Sequence, residues 1–196
     1  MTDTREQILT VAYNLFLQKG YKEVSIQEIT GSLGMTKGAF YYFFKSKEQL
    51  FQEVFYRFFV TGMRTDFTQF SHESLYRFYH EYLEYRINQQ KDNENDAREF
   101  SINIYAYIFD AMKHFPDLVN GVKGSSREEK KAWEEIVGIA RNKGEIKSLM
   151  SNGQIAEIFI FTSDGLGMHE IVEGNKTDVK EHLRALWDAF YEGLKA

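Results

Sequence analysis

Across 196 residues there is one proline, Pro116, and apolar side chains recur at intervals of three and four along most of the chain. A chain so seldom interrupted, and without convincing two-residue alternation, is confined to helix-on-helix architectures. The first run, Ile8, Leu9, Ala12, Leu15 and Phe16, closes on Lys19-Gly20, a basic last turn and glycine stop, and predicts a helix over about residues 4–19. Ser25-Ile26-Gln27-Glu28 has capping-box spacing, in which the Ser hydroxyl and Glu carboxylate satisfy free amides at a helix start. A short second helix follows, with Ile26, Ile29 and Leu33 as its buried stripe and an end near Gly34. A third starts at Thr36, and Ser46-Lys47-Glu48-Gln49 opens a fourth that runs to about Thr65.

Two more helices fit Leu75, Phe78, Tyr79, Tyr82 and Leu83, then Ile102, Tyr105, Ala106, Phe109 and Met112, separated by a polar stretch from Asn88 to Asp96. Pro116 ends the second of these, because a proline pushes the residue before it out of helical geometry. Ser126-Arg127-Glu128-Glu129 predicts a further start, carried by Trp133, Ile136, Val137 and Ala140 and stopped near Gly144. The last two helices fall at about 153–173 and 177–194, giving an all-α fold of about nine helices.

Within this pattern the stretch from Gly34 to Glu48 is a helix-turn-helix signature: a short helix entered through a glycine turn and followed at once by another helix start. At 100° per residue, Lys37, Gly38, Tyr41 and Tyr42 share roughly 140° of arc while Phe40 points away, so one face is apolar and the other can donate hydrogen bonds. Thr36 can present a hydroxyl beside free amides at the positive end of the helix dipole, where a phosphate is favoured, and Lys37 adds charge there. Gly38 lets backbone approach a duplex closely, at a helix-propensity cost of about 1 kcal/mol relative to alanine. Tyr41 and Tyr42 can bond phosphate oxygens or pack on a thymine methyl. Ser25 suits a phosphate, and Gln27, Lys37 and Ala39 are the base-facing candidates. Lys47 sits where the helix dipole disfavours it, which a facing phosphate would offset.

From residue 5 to residue 51 the chain resembles the TetR family of bacterial transcriptional repressors (TetR/AcrR type). It shares their Ser/Thr-Lys-Gly-x-hydrophobic-Tyr-x-aromatic-Phe-x-Ser-Lys-Glu pattern in Thr36 to Glu48. It departs from that pattern at Lys45, where the family commonly has proline, and at Tyr42, where it commonly has histidine. The resemblance implies backbone contacts at Tyr41 and Tyr42, a helix-turn-helix head over residues 1–47, and an effector-binding and dimerisation body over 48–196.

Charge supports that division. The chain carries −5 overall, which by itself argues against a simple nucleic-acid binder, but residues 1–47 hold six Lys/Arg against four Asp/Glu, leaving the remainder at −7. With no cysteine, disulfides, thiolate zinc sites and a cysteine nucleophile are excluded. No apolar run is long enough to span a membrane and the first residues lack a signal-peptide pattern, so a cytoplasmic protein with no membrane partner is expected. The five histidines form no His-Glu-x-x-His or Glu-x-x-His pairing, and no phosphate-binding glycine pattern occurs, so catalytic residues, metal and cofactors are all assigned as none. Asp92-Asn93-Glu94-Asn95-Asp96 opens like a calcium loop, but Ala97 replaces the glycine and Asn103 the final glutamate.

In the body, Leu183, Leu186, Trp187 and Phe190 on the last helix, with Ile158, Gly165 and Leu166 on the one before, are the candidate dimer surface. In TetR-type proteins these two helices build a four-helix interface, and a homodimer sets two recognition helices about one DNA turn apart. By the same resemblance the aromatic-rich body encloses an effector pocket, with Phe59, Met63, Tyr82, Arg86, Asn103, Tyr107 and Trp133 as candidates. The expectation is therefore a repressor that binds a pseudo-palindromic double-stranded operator and is released by a small apolar or aromatic effector. The rival readings are a helical protein–protein interaction module and a TetR-type activator; salt-sensitive duplex binding separates the first from a regulator.

Overall fold

The computed structural model describes the backbone of residues 3–62, 64–90, 97–173 and 179–195. Among them are nine α-helices: α1 (Thr4–Glu23), α2 (Ile26–Ser32), α3 (Lys37–Phe43), α4 (Lys47–Val54), α5 (Leu75–Gln90), α6 (Ala97–His114), α7 (Val119–Asn142), α8 (Asn152–Glu173) and α9 (Val179–Leu194). The only bridge between extended segments among these residues joins Ile146 and Lys195.

The chain forms two compact units, residues 1–64 with 101–125, and residues 65–100 with 126–196. In the first, Ile8, Leu9, Ala12 and Phe16 of α1 meet Ile29, Phe40, Leu50, Phe51 and Tyr107 in one core. In the second, Phe78, Tyr79 and Tyr82 of α5 pack with Trp133 and Val137 of α7, Phe159 of α8 and Trp187 of α9. Apolar spacing read from the sequence is what buries these faces, and burial is the main source of stability in a chain without disulfides.

Several starts and stops follow the predicted chemistry. Ser25, Thr36 and Ser46 each accept a hydrogen bond from an amide in the first turn of the helix they precede. Gly34 (φ 62°) and Gly144 (φ 72°) occupy the left-handed region that ends α2 and α7. The carboxylate half of the first capping box does not form, because Glu28 turns to Lys19 at 2.5 Å, and this contact lowers its pKa.

Three departures matter. Gly20 (φ 80°, ψ 166°) breaks helical geometry inside α1, so residues 21–23 form a separate turn. Beyond Val54 the fourth helix continues as a π-helix over Phe55–Thr61 rather than as regular α-helix. Residues of that segment meet Gly121, where an added Cβ would stand 3.0 Å from Val60. The helix start expected at Ser126 is wrong: α7 begins at Val119, directly after a 3₁₀ turn at Pro116–Leu118. Proline at the head of that turn presets the backbone and buries Leu118, so nucleation occurs there and the local capping preference of Ser126 is overridden.

Candidate nucleic-acid interface

The third helix is held by its apolar side. Phe40 and Phe44 are wholly buried, and their rings lie 5.8 Å apart. That anchoring turns Tyr41 and Tyr42 outward, 53% and 84% exposed. Thr36, Lys37 and Gly38 are exposed on the same short helix, Ala39 is half-buried, and Ser25 and Gln27 are exposed at the start of α2. The Thr36 and Ser25 hydroxyl oxygens accept from Ala39 N (3.2 Å) and Glu28 N (3.1 Å), which leaves each O–H proton able to donate outward. An added Cβ on Gly38 would meet only Thr36 Oγ1, at 3.8 Å. Eight of the nine positions assigned to DNA from sequence thus lie on α2, α3 and their caps with accessible side chains or backbone.

Lys47 is the ninth, and its ammonium is engaged within the head. It donates to the carbonyls of Tyr21 (2.8 Å) and Val24 (2.9 Å) and stands 4.4 Å over the Tyr21 ring. A cation on the carbonyls that end α1 offsets both the unpaired acceptors and the negative end of the helix dipole.

Sequence reasoning missed how α1 is tied to α6. The break at Gly20 leaves the Tyr21 amide without an intrahelical partner, and it donates to Asp110 Oδ2 at 2.6 Å. The other oxygen of Asp110 is 3.0 Å from His114 Nδ1. Tyr21 packs against Phe16, Phe51, His114 and Phe115, and its hydroxyl donates to Glu48. Burial and that carboxylate push the Tyr21 phenol up to about 12. The glycine stop was the visible signal; its acceptor lies 89 residues away, beyond any local pattern.

The effector candidates divide between the two units. Phe59 and Tyr107 belong to the first, where Tyr107 packs on Phe51, Phe55 and Tyr13, and its buried hydroxyl has no hydrogen-bond partner among the described residues. Asn103 is half-buried on α6, and Met63 lies outside the described residues. Tyr82, Arg86 and Trp133 belong to the second unit. There Tyr82 donates to Glu129 Oε1 at 2.7 Å, Arg86 stands 6.0 Å over the Tyr82 ring, and Trp133 meets that ring edge-on at 5.4 Å. The buried Trp133 Nε1 also has no partner among the described residues. Burial raises the carboxyl pKa of Glu129, an effect that Tyr82 and Arg86 only partly offset.

Of the candidate dimer residues, Leu166, Leu183 and Trp187 are buried within the subunit, and Ile158 and Phe190 are half-buried. Gly165 and Leu186 are exposed. Phe161, Met168 and Val172 join them on the surface, so Phe161, Gly165, Met168 and Val172 make one stripe along α8 at spacings of four, three and four. Among the described residues no cluster of His, Cys, Asp and Glu is arranged to hold a metal, and no helix is long and apolar enough to cross a membrane. The would-be calcium loop and residues 174–178 fall largely outside the described residues.

Two short helices joined by a glycine turn, the second with an outward polar and aromatic face, in a chain otherwise helical among the described residues, define the class: a helix-turn-helix protein. Residues 8–54 match the family model described as bacterial regulatory proteins, tetR family. The TetC protein of transposon Tn10 from Escherichia coli is 37% identical over 95 residues, covering 45% of this chain and 47% of that protein. The regulator AcrR of Shigella flexneri is 46% identical over 52 residues, 26% of this chain and 24% of AcrR. The chain therefore spans less than half the length of these two relatives. Over the whole fold, a TetR-family structure from Mesorhizobium loti MAFF303099 superposes with a TM-score of 0.72 at 19% identity, covering 98% of this chain and 96% of that one. Residues 8–54 are thus similar to the helix-turn-helix segment of TetR-type regulators, and over the rest of the chain the likeness is one of fold.

Proposed function

We propose that this protein is a ligand-responsive transcriptional repressor that binds a pseudo-palindromic operator as a homodimer and leaves it when a small effector occupies the body. The observation that carries the reading is the outward pair Tyr41 and Tyr42 on a helix pinned by buried Phe40 and Phe44. Large rings are not left in water by chance beside Lys37 and two helix starts; the arrangement suits phosphates and base edges in a major groove.

The exposed stripe of α8, with Leu186 of α9, supports a two-fold interface, since an apolar surface of this kind is costly for a free monomer. The orphaned Tyr107 hydroxyl and Trp133 indole support an effector role for the body, because an unpartnered buried donor costs about 1–3 kcal/mol until something accepts from it. The link from α6 through Asp110 to the Tyr21 amide supports a route from body to head: a ligand that moves α6 strains a bond on which the end of α1 depends. Its effect is limited by its differential affinity for the two states.

Selection from random duplexes tests the reading. The expected result is enrichment of an inverted repeat, with affinity falling steeply as salt rises. Recovery of random duplexes alone would sink it.

A further inference from the structure

Three helices of the second unit bring four polar side chains together. Tyr82 and Arg86 lie on α5, Glu129 on α7 and Asp164 on α8. Tyr82 is buried and gives its hydroxyl to Glu129, while the Arg86 guanidinium lies over the Tyr82 ring. Arg86 makes no ion pair within 4 Å among the described residues. Asp164 lies within Coulombic range of both Arg86 and Glu129 and has no hydrogen-bond partner there. Arg86 and Asp164 reach solvent, Glu129 is half-buried, and beneath them the rings of Phe67, Trp133 and Trp187 surround Tyr82. The cluster is thus a charged lip on an aromatic floor, and one ring of that floor, Trp133, has a buried Nε1 without a hydrogen-bond partner among the described residues.

Its charges do not balance. Two carboxylates share the surroundings of one guanidinium, and burial raises the pKa of both despite Arg86. An anion placed on Arg86 would stand beside both carboxylates. A cation would relieve their mutual repulsion, and an aromatic floor attracts cations as well as apolar bodies.

We propose that this cluster is the effector seat and that it takes an organic cation with a flat apolar body, the charge against Glu129 and Asp164 and the body against the surrounding rings. This narrows the effector of the function proposed above and rests on that reading.

The chain's two tryptophans both lie in the floor, 5.5 Å apart, so their fluorescence reports on the seat directly. Benzyltrimethylammonium, benzoate and benzyl alcohol are titrated into the full chain. The cation is expected to quench saturably and bind at least about tenfold more tightly than benzoate or the alcohol, a gap of about 1.4 kcal/mol. Glu129→Gln and Asp164→Asn each weaken the cation by at least about fivefold at unchanged far-ultraviolet circular dichroism, whereas Arg86→Met tightens it. Benzoate binding as well as the cation, or cation affinity within twofold of wild type in both carboxylate variants, would overturn the seat. Duplex selection on the same preparation keeps the outcomes apart: operator binding without cation binding removes this inference alone, and cation binding without operator binding removes the repressor reading.

Discussion

Tyr42 has most of its surface in water and touches only Phe43 in a ring contact, so it contributes little to the head's stability. Tyr42→Ala is expected to leave the melting temperature nearly unchanged while weakening operator binding by about tenfold, measured by fluorescence anisotropy. Lys37, exposed and with no ion pair among the described residues, and Lys47, engaged with two carbonyls, make a contrasting pair. Lys37→Met flattens the salt dependence of binding by about 0.9 per subunit, the slope lost with one phosphate contact. Lys47→Met costs about 1–2 kcal/mol of stability, read in denaturant, and changes the salt slope by less than that one unit. Equal slopes for the two variants would return Lys47 to the phosphate backbone.

Each element was legible to the extent that its cause is local. Serine and threonine caps, glycine stops and three-four spacing sit within a few residues of what they determine, so α1 to α3 and the ends of α7 and α9 could be read directly. The π-helical turns after Val54 have no such mark; tertiary packing, including the close approach at Gly121, accompanies the wider winding. Ser126 shows the converse, a local signal present but outweighed by nucleation at Pro116. In the candidate site, the outward face of α3 was legible because burial of Phe40 dictates it, whereas the surroundings of Asp110, Glu129 and Asp164 were not, because they are supplied by other helices. The α1–α6 tie gives this scale its own test. Asp110→Ala leaves the Tyr21 amide without its acceptor, and about tenfold weaker operator binding with unchanged helix content is expected.

For the whole molecule the assembly and the acid balance are the measurable properties. Phe161→Glu puts a charge in the exposed stripe of α8, and light scattering is expected to show monomers at micromolar concentration with the subunit still folded. Glu129 bears on pH. Its folded pKa is raised above the unfolded value, so between the two the native state holds the extra proton, and stability falls as pH rises. Glu129→Gln is therefore expected to melt higher than wild type at neutral pH, the difference closing as pH falls. Calorimetry across that range checks it, and a variant that melts lower at neutral pH would contradict the sign.

The wide winding of residues 55–61 has a consequence for how the chain could be altered by insertion or deletion. A π-turn holds more residues than an α-turn, so removing one residue there tightens the coil instead of severing it. Because the α-turn sweeps nearly the same angle with one residue fewer, the helical turns before the cut would keep their facing relative to those after it. A one-codon loss in that stretch would be absorbed locally, with the hydrogen-bond ladder kept whole and the side chains upstream still aimed as before.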